Sequence, residues 1–111
     1  MDSPVNLTNL RSMTDGDVEL EKALFSEFCS SFERGIEALR NNTSASNEAM
    51  WRAEAHGLKG IALNLGAEKL GEFCKKAQDE SNTDSAVKQQ ILNGIETEYG
   101  HVKNYLADIT G

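Results

Sequence analysis

His56 stands in a stretch of helical spacing, with Arg52 four residues before it and Lys59 and Gly60 three and four residues after it. Offsets of three and four place side chains on one face of an α-helix. A free imidazole is largely neutral at physiological pH, so one ring nitrogen keeps a lone pair and can attack an electrophile. A cation one turn along steadies the negative charge that gathers at such a centre. Gly60 needs a separate reason, because glycine in mid-helix costs about 1 kcal/mol relative to alanine.

At roughly 100° per residue, Trp51, Ala55, Leu58, Ala62 and Leu65 fall within a sector of about 80°, the side that must face a core. His56 is turned about 140° from the centre of that sector, and Arg52, Lys59, Gly60 and Leu63 lie within about 60° of it by the same arithmetic. The histidine is therefore expected on a solvent-facing surface that is basic, small and partly apolar. Leu63, exposed beside charged groups, reads as an apolar docking contact.

The run Ala55-His56-Gly57-Leu58-Lys59-Gly60, continued by Ile61-Ala62-Leu63-Asn64-Leu65-Gly66-Ala67 and then Leu70, resembles the His-x-Leu-Lys-Gly…Leu-Gly-Ala signature of histidine-containing phosphotransfer (HPt) domains. The histidine, the lysine, the glycine and the Leu-Gly-Ala helix break all stand in register. The resemblance implies that His56 accepts a phosphoryl group, with Nε2 as the phosphorylated nitrogen by family precedent. Lys59 would then place its ammonium against the phosphoryl oxygens, and Arg52 would assist from the other side. It also supplies the reason for Gly60, since a position without a side chain leaves room for a partner's aspartate pocket to close around the imidazole.

The remaining chain reads as helices that position this one. Pro4 is the only proline, while glycines and Asn/Ser/Thr clusters separate long segments of helical spacing, and no alternating strand pattern competes. Val5, Leu7, Leu10 and Met13 suggest a short helix over 5–13. Leu20, Leu24, Phe28, Phe32, Ile36 and Leu39 mark an amphipathic helix over 18–40 with Asp17 as its N-cap. Phe25 is expected in the core or at a flank of that helix. The polar run 41–47 forms a loop before the motif helix at 48–65. Gly66 takes the left-handed conformation that ends that helix, and a further helix over 67–80 carries Leu70, Phe73, Cys74 and Ala77. Asp84 caps a last helix over 85–108 with Val87, Ile91, Ile95, Tyr99, Val102, Leu106 and Ile109 on one stripe. The expected fold is all-α, an antiparallel up-down-up-down four-helix bundle with a short additional N-terminal helix, the whole of 1–111 forming one domain.

A formal charge of -7 argues against nucleic acid or an anionic membrane as partner. Cys29 and Cys74 lie in apolar helical patterns and read as reduced core residues. No long apolar run suggests membrane insertion, so the chain is expected to be cytoplasmic; with the HPt reading it is also expected to be monomeric. His-x-x-x-His and Cys-x-x-Cys spacings are absent, and this face offers cations instead of a carboxylate cluster. No cofactor is expected on this chain, and the resemblance to HPt domains implies that the Mg2+ such transfers need is held by the partner receiver domain. His101 reads as an ordinary residue of the last helix. Lys69 reads as part of a solvated face, and Lys75 and Lys76 either enrich the positive field or do the same.

The leading reading is a carrier, without kinase activity of its own, that relays a phosphoryl group between response-regulator receiver domains, fed by a (hybrid) sensor histidine kinase. The dimerisation segment of a sensor kinase fits less well, since Gly57 follows His56 and no proline occurs after Pro4. The phosphoacceptor domain of a chemotaxis-type kinase and a non-catalytic helical adaptor are the alternatives.

Overall fold

The computed structural model describes residues 3–110. Among the described residues five α-helices follow one another: α1 Thr8–Thr14, α2 Val18–Arg40, α3 Glu48–Leu65, α4 Glu68–Asp79 and α5 Ser85–Thr110, with a 3-10 turn at Ala45–Asn47. The described residues contain no strand. Local chemistry sets the helix ends. The Asp17 carboxylate accepts the Leu20 N–H at 3.1 Å, and Asp84 accepts that of Val87 at 2.9 Å, each satisfying an amide the first turn leaves free. Gly66 sits at φ 98°, where its own N–H and that of Ala67 reach back to the Ala62 carbonyl and close α3.

Side-chain pairs fix the directions of the helices. Ion pairs join Arg40 to Glu96 and Lys103 to Glu33, so α2 and α5 run antiparallel. The Trp51 indole reaches Ala77 while Leu63 meets Gly71, which makes α3 and α4 an antiparallel hairpin. Lys69 pairs with Glu98 and Phe73 packs against Gly94, reversing the direction again between α4 and α5. Each long helix thus packs on its sequence neighbour and α2 closes the ring against α5. Phe32, Leu39, Trp51, Leu58, Leu70, Leu92 and Ile95 are buried along the axis. Leu58 fills the space above Gly35, where a β-carbon would stand 2.3 Å from its Cδ2, so α2 and α3 approach closely at the level of the motif.

On the α2–α5 side, the Phe32 and Tyr99 rings stack at a centroid distance of 5.1 Å. The Tyr99 hydroxyl and the Lys103 ammonium both donate to the Glu33 carboxylate and hold its pKa below the usual glutamate range. Cys74 is fully buried and its thiol is pushed up to about 12 by desolvation, whereas Cys29 is half-buried; neither is in a disulfide.

The N-terminal part departs from the expected pattern. Helix α1 begins at Thr8 instead of residue 5, because Asn6 Oδ1 accepts the Thr8 N–H at 3.1 Å and turns the chain just before it. Val5 and Leu7 are still buried, carried by an arm whose Asn6 N–H donates to the Gly66 carbonyl at 2.9 Å. Met13 is exposed. On α2, Leu20 and Leu24 lie outside and the buried stripe runs instead through Phe28, Phe25 and Glu21. The first turns of α2 extend past the end of α3 and meet α1, so a polar contact, Thr14 Oγ1 donating to Glu21 at 3.0 Å with Arg11 beside it, takes the place of an apolar one. Helix α5 continues two residues beyond the expected 108.

Candidate functional site

The buried face of α3 consists of Trp51, Ala55, Leu58, Ala62 and Leu65, and His56 is exposed on another side of the helix. Arg52 is exposed one turn before it and Lys59 half-buried one turn after it. A β-carbon placed at Gly60 would meet nothing within 4 Å, and the same holds at Gly57. The missing side chain at residue 60 therefore meets no demand of internal packing; what it leaves open is the outer surface beside His56. Leu63 is 49% exposed and leans over α4, where a β-carbon at Gly71 would stand 2.7 Å from its Cδ2.

Helix α4 supplies the second wall. The Trp51 Nε1–H donates to the Ala77 carbonyl at 2.8 Å and ties the start of α3 to the end of α4. The next residue, Gln78, lines a shallow depression of about 410 Å³ together with Glu48, Ala49, Arg52, Ala53 and His56. Its Oε1 is buried and has no hydrogen-bond partner. Gln78 carries no motif of its own and went unmarked in the sequence. The signal that finds it is geometric: folding the hairpin about Gly66–Ala67 brings residue 78 against the 48–56 stretch of α3.

The electrostatics of this face are mixed rather than purely basic. Lys75 Nζ donates to the Asp79 carboxylate at 2.7 Å and holds its pKa below the usual aspartate range; burial opposes this, and Lys59 and Arg52 add to the lowering. Glu48 and Asp79 thus border the surface that carries Arg52 and Lys59. Among the described residues no group of three or more His, Cys, Asp or Glu side chains is placed to hold a metal ion. Lys69 reaches Glu98 on α5 at 3.9 Å, and His101 Nδ1 lies 3.3 Å from the same carboxylate. A larger depression of about 640 Å³, bordered by Pro4, Asn6, Gly66, Lys69, Glu98 and His101, lies at the far end of α3. Ten residues of helix, about 15 Å, separate Gly66 from His56.

The model of one protein family, described as the Hpt domain, matches residues 23–109. The chain belongs to the Hpt family. The match takes in most of α2, all of α3 and α4, and α5 up to Ile109, leaving the N-terminal arm and α1 outside. Comparison with curated proteins and with solved structures returns no match. The Hpt assignment agrees with the all-helical bundle and places the chain in phosphotransfer of two-component signalling, where Hpt domains meet receiver domains and kinases. No helix among the described residues is long and apolar enough to cross a membrane.

Proposed function

We propose that this Hpt domain relays phosphoryl groups between receiver-domain aspartates through phospho-His56. The observation that carries this reading is an exposed imidazole on a helix face left open at Gly60 and flanked by the cations Arg52 and Lys59. In the forward step the Nε2 lone pair attacks the phosphorus of an aspartyl phosphate. The N–P bond forms as the P–O bond breaks, the aspartate leaves as carboxylate, and Nδ1 keeps its proton. The next receiver reverses these roles. Gln78 Oε1 is an acceptor suited to that Nδ1–H, which would hold the ring in the tautomer that presents Nε2 outward.

Lys59 and Arg52 supply positive charge to the transferring group, Leu63 gives the receiver an apolar contact, and the required Mg2+ belongs to the receiver's acidic pocket. On this reading the chain is a cytoplasmic, monomeric carrier with no ligand of its own.

The test is transfer from a labelled receiver domain to the purified chain. Label should arrive in a bond that acid cleaves and base spares, as a phosphoramidate requires; an acid-stable product would overturn the reading. In the same assay Lys59→Ala should slow transfer by about tenfold to a thousandfold, the scale for losing one preorganised charge at a reacting centre. Its melting temperature should hardly change. A variant that transfers at the wild-type rate would make Lys59 a solvated surface residue.

A further inference from the structure

Lys88, on the second turn of α5, has no exposed surface, and its Nζ has no hydrogen-bond partner. Taking an ammonium out of water costs several kcal/mol, and apolar residues of similar volume commonly replace buried charges without loss of stability. A lysine at this point therefore needs a use that a methionine would not serve. Its one evident partner is aromatic: Nζ lies over the Trp51 ring, 5.6 Å from the centroid. An ammonium against an indole face is attractive, more so away from water. It also draws electron density from the ring, which makes the indole N–H a better donor. That N–H is the one bound to the Ala77 carbonyl, one residue before Gln78.

Three helices thus meet in one chain of contacts, from Lys88 on α5 through Trp51 on α3 to Ala77 on α4. The next side chains along are Gln78 on α4 and Arg52 on α3, and both line the depression that holds His56. We infer that Lys88 is a positioning residue for phosphotransfer: through Trp51 it fixes the α3–α4 register that sets Gln78 beside His56. The inference deepens the proposed function and rests on His56 as the acceptor. It places a determinant of the site on the helix that contributes nothing to the site's lining.

The experiment uses Lys88→Met, Gln78→Ala and the double variant of the whole chain. Lys88→Met removes a buried charge at nearly constant volume, so it should fold with a melting temperature equal to or above wild type. Transfer from a labelled receiver to His56 should nevertheless slow by about threefold to thirtyfold, the span that loss of a desolvated cation–π contact converts to. Because Lys88 acts through Gln78, adding Lys88→Met to Gln78→Ala should slow transfer no further. A second readout needs no partner: the Gln78 side-chain amide and the His56 ring resonances should move in Lys88→Met.

Wild-type transfer rates in Lys88→Met, losses that simply multiply in the double variant, or unmoved Gln78 and His56 resonances would each overturn the inference. A Lys88→Met chain that fails to fold would make Lys88 a stability residue and overturn it too. If the wild-type chain itself accepts no label, the phosphotransfer reading fails, and the resonances alone decide whether Lys88 positions Gln78.

Discussion

A His56→Gln variant will take up no label from a phosphorylated receiver, while the wild-type chain takes it up readily. Glutamine is close to histidine in size, is no worse a helix former, and stands at an exposed position on α3, so the change touches neither the core nor a helix cap. Stability should stay within about 0.5 kcal/mol of wild type, as for surface substitutions away from special features. The loss of transfer is then a loss of the nucleophile and not of the fold. The chain's other histidine gives the control, because His101 lies on α5 against Glu98 and faces a different depression. His101→Gln should transfer normally. Label on the His56→Gln chain would remove His56 as sole acceptor.

At Gly60 stability and activity should move in opposite directions. A β-carbon there meets nothing within 4 Å, so alanine fits without any neighbour moving. Gly60→Ala should stabilise the helix by a few tenths to about 1 kcal/mol, from the smaller backbone entropy it loses on folding. On the proposed function, that open space is the path by which a receiver reaches His56, and the same variant should transfer more slowly. Gly60→Leu should nearly abolish transfer by standing between His56 and the incoming aspartate. Gly57 is equally free of neighbours but points about 100° away from His56, so Gly57→Ala should stabilise without slowing transfer. Melting temperature and transfer rate measured on the same preparations decide the matter. A folded Gly60→Leu chain that transfers at the wild-type rate would show that the glycine does not guard the approach.

What could be read from the chain in advance is what short-range chemistry determines. The caps at Asp17 and Asp84, the left-handed close at Gly66 and the exposure of His56 opposite Trp51, Ala55 and Leu58 each depend on residues within a turn or two. The sequence was less informative where burial depends on which element runs past which. Leu20 and Leu24 carry the right spacing, yet they are exposed because α2 extends beyond α3 and meets α1, which buries Glu21 instead. Val5 and Leu7 look like a helix stripe, yet they belong to an arm laid across the end of α3. Gln78 belongs to no local pattern, and Lys88 stands at helical spacing on the stripe of Ile91, Leu92 and Ile95, but only the folded hairpin and the docked α5 give them their neighbours.

The hairpin of α3 and α4 has a further consequence, for how the site comes into being as the chain folds. Arg52, His56, Lys59, Gly60, Leu63 and Gln78 all lie on two consecutive helices joined at Gly66 and Ala67. Closing so short a connection carries little entropic cost, and contacts between near neighbours in sequence form soonest. The reactive face can therefore assemble within one stretch of chain, before the distant partnership of α2 with α5 is made. Lys88 reaches Trp51 only once α5 has docked. On the proposed function, a nascent hairpin would hold every group assigned to the phosphoryl and still lack the cation inferred to set their spacing, so the last helix to arrive would complete the alignment of a site whose residues were already together.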